Sequence, residues 1–222
     1  MRFEEFTISD METKQHELDT VLLTFGGLTW RPTHLPVGTT WYILRRLRDE
    51  VEITMGDRIL TLPVQSIDTT FDDSALVQLP QEAFTQMASR YVRELLRHFH
   101  FRHVIILTDS LYKERLLTHA LHTDVDSRLR ILPFVWWRDG VRQSDSETGE
   151  LNSTPTTRDF HPSGEWETAL MMALAEHLVV HDTASLTRYL AQNASAKQGS
   201  VKWAQLSQHM IQTIRQFINE SS

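Results

Sequence analysis

Aliphatic, β-branched runs alternate with stretches of helical periodicity along most of this chain, and that alternation leaves few architectures open. Thr20–Phe25 (TVLLTF) is a continuous apolar run closed by Gly26-Gly27, the pattern of a strand buried on both faces. Arg58–Val64 (RILTLPV), Arg102–Asp109 (RHVIILTD) and Arg128–Trp137 (RLRILPFVWW) repeat it. Between them, Thr39–Glu50 places Ile43, Leu44 and Leu47 at helical spacing with arginines opposite. Gln81–His98 repeats apolar residues at three- and four-residue steps behind Pro80, and Tyr112–His122 follows the third strand directly. Parallel neighbours need a helical crossover, so this order predicts an α/β fold: a three-layer α/β/α arrangement around a mostly parallel sheet. Gln65–Gln78 reads as an irregular excursion, and Arg138–Phe160 as a long polar loop. A helix is expected from about Gly164 to Val180, and Leu206, Met210, Ile214, Phe217 and Ile218 trace one face of a C-terminal helix.

Composition narrows the function classes. The 222 residues suit one core, and a single domain over 1–222 is the expectation. A formal net charge of −7 argues against a nucleic-acid or anionic-membrane binder, whose surface needs excess Lys and Arg to displace counterions. With no Cys, disulfides, thiolate metal sites and cysteine nucleophiles are excluded. No apolar run has signal-peptide or bilayer length, and a cytoplasmic location is expected.

Three segments, in order, carry a resemblance. Thr24–Thr40 read TFGGLTWRPTHLPVGTT, which aligns without a gap to PVGSTEQHGPHLPLGTD, with Gly26, His34, Leu35, Pro36, Gly38 and Thr39 coinciding. Leu95–Lys113 follow a helix–strand–turn pattern that ends in NGHGGN, matching through the strand but not the turn. His161–Leu174 read HPSGEWETALMMAL against HAGExETSLMLAL, with Gly164, Glu165, Glu167, Thr168, Leu170, Met171, Ala173 and Leu174 coinciding. The chain therefore resembles the creatininase family of metal-dependent amidohydrolases over roughly residues 18 to 180.

In that family the first signature gives a Glu, a His and a bridging Asp to two divalent metals, zinc or manganese, and the turn adds a His. The aligned positions here are Thr29, Arg31, Thr40 and Ser110. Neutral hydroxyls are weak ligands and a permanent cation is none, so the resemblance implies a lost dinuclear site, no metal cofactor and no metal ligands. The expected cleft comprises Thr29, Arg31, His34, Thr40, Asp109, Ser110 and Glu165, gathered at the C-terminal edge of the sheet, with Arg31 paired to Glu165.

Individual residues admit two readings each. Glu165 and Glu167 suit the positive end of a helix, or Glu165 is a relic of the family's active site. His34 is a pocket base or a turn hydrogen bonder. Asp109 is functional or caps the next helix. His98, His100 and His103 sit at a helix–strand junction whose alternation points them apart, against a metal reading. Ser110, His161 and Asp109 make a triad only on paper, because Ser110 lacks the small neighbours of a nucleophile elbow.

The expected function is a non-catalytic ligand-binding or partner-binding subunit, taking a small molecule in the old cleft. The resemblance also implies a homo-oligomer, in the family commonly a hexamer, or assembly with an active paralogue. The alternative is an amidohydrolase acting on linear or cyclic amide bonds with a rebuilt site drawn from Glu165, His161, Asp109 and His34, holding a single metal or doing acid/base chemistry. A purely structural subunit would instead have its cleft filled.

Overall fold

The computed structural model describes residues 1–69, 74–140 and 162–220. Helix α1 (Ile8–Lys14) is closed by a capping box in which Thr7 accepts from the Asp10 amide and the Asp10 carboxylate accepts from the Thr7 amide. Strand β1 (Thr20–Phe25) then enters the core with every residue buried. Helix α2 (Thr39–Met55) leads to β2 (Ile59–Thr61), and two short strands, β3 (Asp68–Thr69) and β4 (Gln78–Leu79), flank an excursion. Helix α3 (Gln81–Leu95), β5 (His103–Thr108), α4 (Leu111–Asp124) and β6 (Arg130–Val135) follow. Beyond the break come α5 (Glu165–Ala175), α6 (Thr183–Arg188) and α7 (Ala196–Asn219).

The main sheet has the order β2-β1-β5-β6 and every pairing is parallel, Thr20 standing beside His103 and His103 beside Arg130. Helix layers cover both faces; β1, β2 and β5 are buried throughout, whereas the edge strand β6 is fully buried only at Phe134 and Val135. Leu22, Ile105, Leu107 and Phe134 face one layer, with Ile43 and Leu47 of α2, Leu170 of α5 and Leu206 of α7. Val21, Leu23, Val104 and Ile106 face the other, with Phe84 and Val92 of α3 and Leu117 of α4. This is the expected mostly parallel α/β arrangement with helices on both faces. Each such fully buried aliphatic side chain contributes about 1.5–3 kcal/mol relative to exposure.

Several boundaries differ from expectation. The last strand stops at Val135, and residues 136–140 are helical, so the tryptophan pair begins a helix rather than ending a strand. The excursion is not wholly irregular: Asp68 and Thr69 pair in parallel with Gln78 and Leu79. The helix expected to reach Val180 is α-helical only to Ala175 and tightens into a 3₁₀ turn over Glu176–Leu178. From residue 141 on, the polar loop lies outside the described residues, as does His161. No helix among the described residues is long and apolar enough to cross a membrane.

Helices α5 and α7 approach each other closely at Gly199. A Cβ built on Gly199 would stand 1.8 Å from the carbonyl oxygen of Ala169. The absent side chain is what lets the two backbones meet.

Candidate functional site

Three turns leave the C-terminal ends of β1, β5 and β6 and meet the start of α5. The first runs on from Gly26-Gly27. A Cβ on Gly27 would lie 2.2 Å from Asp68 Oδ2, so the chain passes against that carboxylate only because the residue is glycine. The turn is then pinned by backbone hydrogen bonds: Thr29 donates to Val37, and Trp30 to Ser74. This leaves Thr29 and Arg31 facing Thr40 in the first turn of α2.

The second turn carries Asp109 and Ser110. Ser110 caps α4, its hydroxyl accepting from the amides of Tyr112 and Lys113 at 3.2 and 3.4 Å. From the helical segment after β6, Trp137 donates its indole N–H to the Asp109 carbonyl at 2.8 Å. The cleft between these turns has a volume of about 410 Å³. Thr29, Arg31 and Thr40 line one side, Asp109, Ser110, Leu111 and Tyr112 another, and Trp136, Trp137, Pro162 and Glu167 the rest, with Ser74 at the rim.

Two protein-borne cations dominate its electrostatics. The Arg31 guanidinium donates through Nη2 to Thr40 Oγ1 at 2.7 Å and stands 3.1 Å from Glu167 Oε1. Glu167 is buried, and its other oxygen accepts from the Ser163 amide at 2.6 Å. Burial pushes the Glu167 carboxyl above its ordinary value, with Arg31 and the Ser163 N–H opposing. The second cation, Lys113, is buried with its Nζ 2.9 Å from Asp68 Oδ2 and 2.5 Å from Asp109 Oδ1. Burial works against the ammonium, but Asp109 and Asp68 overcome it and hold Lys113 above its usual value. Asp68 is itself pushed up by burial, against the pull of Lys113.

Of the cleft residues expected from sequence, Thr29, Arg31, Thr40, Asp109 and Ser110 line this space, and Glu165 and His34 do not. Glu165, the first residue of α5, is 3.9 Å from Lys202 on α7. The expected Arg31–Glu165 pair is corrected to Arg31–Glu167, because two residues along a helix turn a side chain by about 200°. His34 is fully buried. Its Nδ1 lies 3.2 Å from Ser185 Oγ, and its Nε2 lies 3.1 Å from the Ser163 carbonyl oxygen. That pattern suits a neutral ring with the proton on Nε2, tying the first turn to α5 and α6. His161 of the paper triad lies outside the described residues, and the Ser110 hydroxyl is engaged in capping. Of the three junction histidines, His100 stacks on His16 and His103 is buried beside Thr20.

Sequence reasoning missed Asp68, Lys113 and the position of Glu167. Asp109 and Lys113 stand four apart across a helix start, a spacing that brings opposite charges together and was available as a signal. Nothing local marks Asp68, whose partner is 45 residues away.

The buried histidines give a pH signature. Burial holds His34 and His103 below the ordinary 6.5. A group depressed on folding lends stability above its unfolded pKa, and that stability is lost as pH falls towards the folded value. Urea midpoints should therefore drop from about pH 7.5 to about pH 5.5, and a His34→Gln/His103→Gln variant should flatten the profile. An unchanged slope in that variant would remove these rings as the cause.

A pair of divalent metals does not fit these side chains. Thr29, Thr40 and Ser110 are neutral, Arg31 is a permanent cation, and an ammonium already stands between Asp68 and Asp109. Among the described residues no group of three or more His, Asp or Glu could hold a metal ion.

Comparisons with known proteins agree on the fold. The family model for creatininase, creatinine amidohydrolase, matches residues 4–213. A crystal structure of creatinine amidohydrolase superposes with a TM-score of 0.73 at 15% identity, covering 97% of this chain and 96% of that one. A manganese creatininase gives 0.71 at 16% identity, covering 97% of each chain. A Zn-Zn type creatininase carrying a Glu-to-Gln substitution gives 0.73 at 16%, with the same coverage. No curated protein sequence matches the chain.

Proposed function

The chain belongs to the creatininase family, and from that premise we propose that it is a non-catalytic member whose cleft binds a small molecule without a metal. One observation carries this reading. Both carboxylates lining the cleft are already matched by cations of the chain itself, Glu167 by Arg31 and Asp109 by Lys113. In an active amidohydrolase of this kind, carboxylates offset two dications, which lower the pKa of a bound water to make the nucleophile. Here cations of the chain already stand against both, although Lys113 is shared between Asp109 and Asp68. A dication would have to displace or approach a fixed positive charge within a few ångströms, in surroundings where screening by water is weak. The cleft is open enough to take a ligand, which a purely structural subunit would not need.

Elemental analysis of protein purified without chelator, followed by calorimetric titration with Zn²⁺ and Mn²⁺, tests the proposal. The expected result is substoichiometric metal and no saturable heat. Stoichiometric metal that disappears on Asp109→Asn or Glu167→Gln would overturn it and put a metal-dependent hydrolase in its place.

A further inference from the structure

We propose that the chain carries a second binding site, at the opposite edge of the sheet from the cleft, which takes a small polyvalent phosphate of the diphosphate kind on Arg102, Arg128 and Arg130. This goes beyond the function proposed above and does not depend on it.

The N-terminal ends of β5 and β6 lie side by side, with the Arg130 amide donating to the Arg102 carbonyl at 2.9 Å and Arg130 in register with His103. Beside them and the turn before β6 is a hollow of about 420 Å³, lined by these three arginines, Asp126 and the buried Phe101 and Leu129, with His103 also on its wall. Three guanidinium groups therefore meet one carboxylate, in a chain whose formal net charge is −7. Asp19 stands next to them, its carbonyl accepting from the Arg102 and His103 amides, and counting its carboxylate too still leaves the hollow positive. The His103 ring feels these charges: burial holds it low, Asp19 opposes, and Arg130 and Arg102 both push it further down.

These cations are within reach of a ligand. Arg102 is exposed, the Arg128 side chain is 87% exposed and Arg130 is partly buried. Among the described residues the Arg102 and Arg130 guanidinium groups make no hydrogen bond or ion pair, Arg130 lying over the Phe217 ring at 5.0 Å. Asp126 turns Arg128 by taking its Nε and Nη2 at 3.1 and 2.8 Å, which leaves Nη1 for a guest. Two of the three are thus oriented before a ligand arrives, which lowers the ordering cost of binding.

The arrangement of the donors selects the anion. Guanidinium forks bind carboxylate and phosphate alike. Here they come from two strand ends and a turn, so they approach a guest from different sides. A tetrahedral phosphoryl group offers oxygens in several directions, whereas a carboxylate offers two in one plane. A second phosphoryl group supplies the charge that three arginines can match.

Pyrophosphate is the probe, titrated calorimetrically into the full chain at about 0.1 M salt so that long-range attraction is screened, with citrate as a polycarboxylate comparison. Saturable binding of one pyrophosphate is expected, with citrate at least about fivefold weaker. Arg102→Gln and Arg130→Gln should each weaken it about tenfold, and the double variant should abolish it. The urea midpoint of Arg102→Gln should match the parent, because that side chain bonds nothing in the chain. Arg46→Gln, which removes an exposed arginine of α2 paired with Glu50, is the control and should bind as the parent does. No saturable heat, citrate binding within that factor of pyrophosphate, or an Arg102→Gln loss no greater than that of Arg46→Gln would each overturn the site. Heat that persists in the double variant would do the same, since the anion would then be held elsewhere.

Discussion

Lys113→Met is expected to cost about 3–5 kcal/mol of folding stability at neutral pH, read by urea denaturation. The ammonium is the shared partner of Asp68 and Asp109, and both it and Asp68 are almost wholly buried. Methionine matches the stem of the lysine but leaves two carboxylates facing one another with no cation between them. Their attraction to Lys113 becomes mutual repulsion, in a place where solvation cannot make up the loss. The effect should be pH-dependent in a definite direction. Burial already raises the Asp68 carboxyl, and removing the ammonium raises it further, so the folded variant takes up protons that its unfolded chain does not. Its deficit should therefore shrink as pH falls from about 7 to about 5. Adding Asp68→Asn should recover a large part of the loss. A loss below about 1 kcal/mol for the single variant would show that the pair is not what holds the excursion to the sheet.

Gly199→Ala should destabilise by about 3 kcal/mol, although alanine is the better helix former by about 1 kcal/mol. The new methyl would lie 1.8 Å from the Ala169 oxygen, 2.5 Å from its carbonyl carbon and 2.9 Å from Ala173 Cβ. Backbone cannot give way as the tip of a long side chain can, so α5 and α7 must part along a face that buries Leu170, Leu206 and Met210. Overpacking wins over propensity because the clash is between main chains. Ser200→Ala is the control: the neighbouring side chain is exposed and bonds only to Ala196 of its own helix, and its effect should stay within about 0.5 kcal/mol. A Gly199→Ala chain as stable as the parent would mean that α5 and α7 do not pack as closely as described.

The core of the fold was legible because burial imposes periodicity. Thr20–Phe25 is buried residue by residue, and a continuous aliphatic run is what a parallel strand under two helix layers requires. The short β3 and β4 were not legible, since two-residue strands have no period to read. At the site, Arg31 and Thr40 followed from a gapless alignment and lie 2.7 Å apart. Glu165 and Glu167 were both visible, but their order around the helix was not. Which carboxylate enters the cleft depends on the rotational setting of α5, fixed by Leu170 and Met171 in the core. Asp68 was invisible for a different reason: it matters through Lys113, and nothing in residues 65–78 records a partner so far along the chain.

The Asp68–Lys113–Asp109 arrangement bears on how such a protein meets a changing cell. Where a fold is completed by a bound ion, its stability rises with the logarithm of the free ion concentration, and scarcity or chelation weakens it by mass action. A counterion attached to the backbone cannot be diluted, exchanged or starved away. It arrives with translation in fixed stoichiometry, so on the metal-free function proposed above this part of the fold would be complete without an ion-loading step.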